Sequence, residues 1–227
     1  ISACLITILL LFSLVTNVFG HGQFSLPDVS DGQINEALQG LVPLRFLPNE
    51  PVYFLIVLKE SVQRFFQPSA ASRAQFDLVL SGKRVKESYL LLAGGDVKNS
   101  SKTLDRYSER LLKMTAQLEK ARSQNQDVVP LVDRIATELE IHETLLSAIY
   151  YKWQGQEDVY DFDSNFEDAI FGFSRAVSGI NNVKPGLKDR YSVPVVDENK
   201  TNVVPYVSPP ELIFEATPSF RPKRIIF

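Results

Sequence analysis

The stretch from Pro51 to Leu92 constrains the fold of this chain most, because it predicts two successive amphipathic helices separated at Pro68. Asn49 and Pro51 provide start signals for the first helix, and Pro68 ends it, since the residue before a proline disfavours helical geometry. Its apolar residues recur at spacings of four, four and three, on one face: Phe54, Leu58, Val62 and Phe65. We expect this face to be buried.

The second helix of this stretch carries a seam of small and apolar residues. Ser69 can cap it, and Gly94 can end it. Residues spaced by three and four form the seam: Ala71, Ala74, Leu78, Ser81, Val85, Ser88 and Leu92. Small side chains allow a neighbouring helix to approach closely. Gly82, in mid-helix, costs about 1 kcal/mol relative to alanine and is expected to be a weak point.

Three further helices are indicated by the same periodicity. One extends over residues 101–124, one follows a cap at Asp127, and one follows the capping box that begins at Ser164. Matched lengths and short connections favour an antiparallel arrangement. The sequence therefore predicts an all-α fold, an elongated antiparallel bundle of about four helices over residues 49–183.

The two ends of the chain differ from this helical part. Residues 1–20 resemble a signal peptide with an uncharged apolar run from Ala3 to Phe19 and a cleavage point before His21, with an uncleaved membrane anchor as the alternative. Residues 21–48 are expected to form a polar linker, interrupted by one weakly helical piece at Ile34–Leu41. Residues 184–227 hold more than half of the prolines and predict an extended tail.

A family resemblance rests on four features of the central stretch. These are Pro51-Val52-Tyr53-Phe54-Leu55, Glu60, the pair Phe65-Phe66, and Arg84-Val85-Lys86-Glu87. Together they resemble an uncharacterised bacterial domain-of-unknown-function family of exported helical proteins, with the pattern P-x-Y-F-L, Glu, an aromatic pair and R-L-x-E, over roughly residues 49–125. The resemblance implies an all-helical exported domain and brings no catalytic residue with it.

Motifs that carry chemistry are weak in this sequence. His142 has only Glu138 at helical spacing, and the acidic run 157–165 lacks the glycine and glutamate of a calcium loop. The chain has no G-x-S-x-G elbow and no glycine-rich phosphate loop with its lysine. With a net charge of −3 and no basic stripe, nucleic acid is not an expected partner. We expect no enzymatic activity, no cofactor and no metal.

Aromatic residues are concentrated between positions 150 and 173, and this cluster is the strongest local anomaly. Such a cluster could stack on sugar rings, hold a proline-rich tail or sit at a membrane interface, and core packing is the preferred interpretation. The candidate ligand or partner contacts are Tyr150, Tyr151, Trp153, Tyr160 and Phe162.

The function expected from these features is that of a non-enzymatic, exported helical interaction module in the bacterial envelope or extracellular space. It would bind another protein, or itself, through a helical face. The alternative is a domain that binds cell-wall sugar or peptide through the aromatic cluster at 150–173. Membrane contact is expected only through an uncleaved N-terminal segment.

Overall fold

The computed structural model describes residue 24 and residues 26–193. The chain divides into two compact units, Ile1–Val196 and Asp197–Phe227, and every described residue belongs to the first. The described part contains helices and no strand, so the predicted all-α class is confirmed for it. The expected signal peptide at 1–20, and the tail from residue 194 onward, lie outside the described residues.

Six α-helices and one short 3-10 helix make up this unit. In chain order they are α1 (Asp31–Gly40), α2 (Tyr53–Phe65), α3 (Ala70–Ala93), α4 (Val97–Ser123), α5 (Val129–Trp153), α6 (Phe162–Val183) and the 3-10 helix Leu187–Arg190. Side-chain caps fix several starts: Ser30 accepts from the backbone of Gln33, and Ser69, as predicted, caps α3. No helix in the described part is both long enough and apolar enough to span a membrane.

Some of the long helices pack antiparallel to each other and some pack parallel. α3 and α4 run antiparallel, with Ser88 and Ser100 hydroxyls 2.9 Å apart near one end and the Gln126 side chain accepting from the Ala71 backbone at the other. α5 leads the chain back along the molecule, so α6 begins at the end where α4 begins. The predicted antiparallel order therefore describes α3 and α4, whereas α4 and α6 run in the same direction.

Small residues allow the close contacts between these helices. In α3, most of the predicted seam is buried, including Ala74, Leu78 and Ser88. A second seam, on α6, was not predicted: a Cβ added at Gly179 would lie 2.9 Å from Thr115 Cγ2 of α4. The core between the helices is filled by large side chains that are less than 2% exposed, among them Tyr107, Phe162, Phe173, Leu111, Met114 and Ile135.

Both flanking segments contribute to the packed unit. The helical piece expected at Ile34–Leu41 corresponds to α1, which packs against α5; Ala37 of α1 is buried, and so is Leu41 directly after it. At the other end, Tyr191 is buried and its hydroxyl donates to the Ala136 carbonyl at 2.9 Å. The packed unit therefore extends beyond 49–183 in both directions, into the ranges expected to be linker and tail.

The prediction for α2 is wrong in one respect that matters for function. Its apolar face, expected to be buried, points away from the rest of the unit: Phe54 is 64% exposed, Leu58 58% and Phe65 78%. The predicted cap also differs, since α2 begins at Tyr53 after Val52, which makes no side-chain capping bond. The reason for the inversion is a set of charged contacts on the other side of the helix.

Candidate functional site

The inner side of α2 is polar and is bound to α3 through a buried network of charged groups. Glu60 accepts from Lys83 Nζ at 2.5 Å through one carboxylate oxygen and from Arg84 through the other. All three side chains are buried, and the two cations belong to α3. A carboxylate buried with its cations fixes one orientation of a helix, because any rotation would leave a buried charge unpaired.

Tyr53 and Glu87 complete this network at the start of α2. The Tyr53 hydroxyl donates to Glu87 Oε2 at 2.8 Å and accepts from Arg84 Nη1 at 2.6 Å. Burial raises the pKa of Glu87, while the nearby Arg84 acts in the opposite direction. Glu87 Oε1 has no hydrogen bond within the described part but lies 3.7 Å from Lys83 Nζ. The network therefore contains two carboxylates and two cations, and their formal charges cancel.

A second ionic contact binds the C-terminal half of α2. Arg64 approaches both oxygens of Asp77, with Nε 2.8 Å from Oδ1 and Nη2 2.9 Å from Oδ2. Arg110 of α4 donates to the same carboxylate at 3.1 Å. Asp77 is fully buried. Two guanidinium groups on one carboxylate leave a net positive charge beside α2.

The outer side of α2 is uniformly apolar. At 100° per residue, six exposed residues fall in a sector about 120° wide, opposite the buried Tyr53 and Glu60. We call this set the outer face: Phe54, Leu55, Leu58, Val62, Phe65 and Phe66. Exposed apolar residues before and beside α2 extend it, namely Val42, Phe46 and Val52. The outer face is therefore an apolar surface held outward by charges beneath it.

A groove lies along one side of the outer face. Its cavity has a volume of about 600 Å³ and is bounded by the loop after α1, by α2 and by α3. The lining is mainly apolar: Val42, Pro43, Phe46, Val52, Leu55, Ile56, Phe76, Val79 and Leu80. Two exposed cations, Arg45 and Lys59, also line it, and neither has an ion pair or a hydrogen bond within the described residues.

A smaller cavity of about 310 Å³ lies on the other side of the outer face. Three of its five lining residues are cations, Arg64, Arg110 and Lys113, and the others are Ser61 and Phe65. Lys113 is paired with Glu109 at 2.5 Å. Cationic groups thus flank the outer face on both sides.

The aromatic residues singled out from the sequence lie apart from this surface and divide into two groups. Phe162 and Trp153 are buried against each other, with ring centroids 4.2 Å apart, and Trp153 Nε1 donates to Asp163 at 2.6 Å. Tyr150 is half-buried and stacks on Phe166. Tyr151 and Tyr160 are exposed, although the Tyr151 hydroxyl donates to the Leu26 carbonyl. A ligand role for this group stays a prediction.

His142 is an interior residue in this structure. It is fully buried beside Tyr107, whose hydroxyl lies 3.5 Å from His142 Nδ1. Burial lowers the pKa of His142 to about 3, so the ring is neutral. Glu138, its neighbour at helical spacing, pairs instead with Arg134. Among the residues that the structure describes, no group of three His, Cys, Asp or Glu side chains comes together in a way that could hold a metal ion.

Sequence reasoning missed the outer face because it assigned apolar residues to the core by default. The signal that could have found it is the opposite side of the same helix, where Tyr53, Glu60 and Arg64 lie on one face. Their charged partners follow 13 to 34 residues later in the chain. Four of these residues, Tyr53, Glu60, Arg84 and Glu87, belong to the stretches on which the family resemblance rests.

Comparison with known families confirms that resemblance at the level of a family. Residues 45–147 match the model of a family described as Domain of unknown function (DUF5667). The matched segment contains α2, α3 and α4 and all the ionic contacts beneath the outer face. Neither the curated proteins nor the solved structures gave a match.

Proposed function

We propose that this chain, whose residues 45–147 match the DUF5667 model, is an exported, non-enzymatic helical interaction module of the bacterial envelope or extracellular space, and that it docks through the outer face of α2. In this proposal α3 to α6 form the elongated bundle that serves as the scaffold, followed by an extended proline-rich tail. The observation that carries the proposal is the outward orientation of an apolar helix face.

Exposure of the outer face to water costs free energy. Folded monomers rarely expose a continuous apolar patch, and those that do usually use it for binding. A loosely attached α2 would roll and bury its phenylalanines, because apolar burial is favourable at about 25 cal/mol per Å². The ionic contacts of Glu60 and Arg64 oppose such a roll. These contacts fix the orientation of α2, and docking of a partner is the use that best accounts for it.

The non-enzymatic part of the proposal is supported by the state of the charged groups. Glu60, Glu87 and Asp77 are buried and bound to cations of the same unit, so none of them reaches a cavity as an unpaired acid or base. His142 is enclosed in the core. General acid or base catalysis needs such a group within hydrogen-bonding reach of a substrate.

A second candidate function, binding of cell-wall sugar or peptide, rests on the exposed Tyr151 and Tyr160. Exposed tyrosine rings can stack on sugar faces. Replacing Tyr160 with alanine would weaken retention of the chain on purified cell-wall material if this candidate holds. Unchanged retention of both the Y151A and Y160A variants would exclude it.

The leading proposal can be tested by capture from native envelope extract with the full chain as bait. The bait is compared with a variant carrying Phe54→Ser, Leu58→Ser and Phe65→Ser, and with a control, Phe171→Ser, which alters an exposed phenylalanine of α6. We expect the wild type and the control to retain the same envelope material and the triple variant to lose it. Equal retention by all three baits would contradict the proposal.

A further inference from the structure

We infer that the partner of the outer face is the surface of a bilayer that contains anionic lipids. This inference rests on the proposed function and names its partner. The apolar side chains of α2 would enter the interfacial region, and the cations on both sides would contact lipid phosphates. α2 would then lie parallel to the membrane plane, with the rest of the unit above it.

The outer face has the chemistry and shape of a helix that lies in a membrane interface. The outer face is presented by one helix, and three of its six residues are phenylalanines. A helix with a wide apolar face and a polar opposite side binds in the plane of a membrane interface, where its apolar side chains reach about 5 to 10 Å below the headgroups. In most such helices, water solvates the polar side. Here α3 takes the place of water on the polar side, because its charged side chains bind Glu60 and Arg64 of α2.

Cationic groups lie on both sides of the outer face. Arg45 and Lys59 line the groove on one side as unpaired, exposed cations within the described part. On the other side, Arg64 and Arg110 share the single carboxylate of Asp77. Cations on both sides of an apolar strip match a surface in which phosphates surround an apolar interior.

Acidic groups near the outer face are for the most part neutralised from within. Glu60 and Glu87 are paired with Lys83 and Arg84, and Glu109 is paired with Lys113. Glu50, in the loop before α2, is exposed and is the exception. The whole chain has a net charge of −3, so the positive charge around the outer face differs in sign from the net charge of the molecule. The local field therefore favours an anionic partner.

The same charges disfavour a second copy of the chain as the partner. In a two-fold symmetric dimer, equivalent surface patches face each other. The cations beside one outer face would meet the cations beside the other, with Glu50 as the available counter-charge. Like charges across an interface oppose association. A lipid surface supplies the missing negative charge.

The test uses a fluorescent reporter placed on the outer face of the full chain. Cys4, the one cysteine of the chain, is replaced by serine, and an environment-sensitive dye is attached at Leu58→Cys or, as a control, at Phe171→Cys. A local reporter is used because it separates contact at the outer face from any contact through the apolar segment Ala3–Phe19. With vesicles of phosphatidylglycerol and phosphatidylcholine, we expect a blue shift at position 58 and quenching by chain-labelled lipids there, and neither at position 171.

Charge reversal then tests the cationic contacts. Each basic residue near an anionic surface contributes about a fivefold gain in partitioning. We therefore expect the paired change Arg45→Glu and Lys59→Glu to weaken the response at position 58 by at least about tenfold, while Lys152→Glu, on α5, leaves it unchanged. An equal response with neutral phosphatidylcholine vesicles, or no effect of the paired reversal, would overturn the inference.

Further measurements distinguish a lipid surface from a second copy of the chain and from free anions. A shift at position 58 that grows with protein concentration in the absence of vesicles would indicate a second copy and overturn the lipid assignment. Inorganic phosphate that abolishes the vesicle response at unchanged ionic strength would assign the cations to free anions instead. If envelope capture depends on the outer face while vesicles produce no response at position 58, the proposed function stands and the lipid inference fails. If capture does not depend on that face, the proposed function itself fails.

Discussion

Gly82 lies where α3 passes closest to the interior histidine, and this position explains a residue that looked like a flaw in the sequence. A Cβ added there would lie 2.9 Å from His142 Nε2 and 2.9 Å from Leu41 Cδ2. Such distances force neighbouring groups to move. The absent side chain therefore allows α3, α5 and the end of α1 to meet.

Replacement of Gly82 with alanine is accordingly expected to destabilise the fold, although alanine favours a helix by about 1 kcal/mol over glycine. Overpacking typically costs about 1 to 3 kcal/mol, so we expect a net loss in the free energy of unfolding. The matched control is Gly32→Ala in α1, where the nearest atom is 3.9 Å away and the change should stabilise. Denaturant unfolding measures both. A gain at both positions would contradict the packing described for Gly82.

His142 gives the fold an acid sensitivity whose sign follows from its burial. Its pKa in the folded chain, about 3, lies below the ordinary histidine pKa of 6.5. As the pH falls, the unfolded chain therefore takes up this proton first. The stability that the neutral ring contributes is fully present above pH 6.5 and is lost between pH 6.5 and pH 3, by up to about 1.4 kcal/mol per pH unit.

We expect His142→Gln to lose less unfolding free energy than the wild type when the pH falls from 7.5 to 4.5. Comparison with the wild type is needed because buried carboxyls such as Glu87 and Glu143, whose pKa values burial raises, act in the opposite direction. Urea unfolding at pH 4.5 and pH 7.5 measures the difference. Equal losses in the two proteins would show that the pKa of His142 is the same in the folded and the unfolded chain, which would contradict its burial as a neutral ring.

Arg84 binds both carboxylates of the network beneath α2, so we expect its removal to destabilise the fold strongly. Arg84→Met would leave Glu60 and Glu87 buried with Lys83 alone, and breaking a buried pair on one side costs about 3 to 5 kcal/mol. The control is Arg134→Met, which breaks a partly exposed pair with Glu138 within one helix and should cost less than about 1 kcal/mol. Thermal unfolding of the two variants should separate them clearly, and similar melting temperatures would refute the network.

At the scale of the element, α2 shows why an amphipathic pattern does not by itself say which face is buried. The periodicity of Phe54, Leu58 and Val62 locates a helix correctly. Its orientation depends on partners of Tyr53, Glu60 and Arg64 that are distant in sequence, and a pattern within one helix does not contain them. Burial of the paired charges orients α2 against the ordinary preference of its apolar residues.

Serine substitutions on the outer face should therefore leave stability nearly unchanged. Side chains that are already exposed lose little on replacement, so we expect the Phe54→Ser, Leu58→Ser and Phe65→Ser variant to differ from the wild type by less than about 1 kcal/mol in the free energy of unfolding. Leu78→Ala, on the buried seam of α3, serves as the comparison and should cost about 2 to 5 kcal/mol. Comparable losses of unfolding free energy in the two variants would mean that the apolar face of α2 is buried, as the sequence pattern predicts.

At the scale of the whole molecule, local sequence signals located most helices, whereas long-range packing decided their relative directions and the limits of the packed unit. Ser69 and the small-residue seam placed α3 closely, because caps and seams are local. The parallel run of α4 and α6 depends on which helices touch, and contact of Gly172 and Gly179 with α4 cannot be read from their own neighbourhood. Burial of Tyr191 beyond the predicted bundle likewise depends on Ala136 of α5.

The central claim, that α2 turns its apolar face outward, can be measured directly by cysteine accessibility. In a Cys4→Ser background, single cysteines at positions 54, 58 and 65 are compared with one at the fully buried Leu78 for reaction with a maleimide in dilute native protein. We expect the three α2 cysteines to react at nearly the rate of an unfolded peptide, and the cysteine at position 78 to react only as fast as the chain unfolds. Protection of all four positions to the same degree would show that the outer face is buried and would contradict this account.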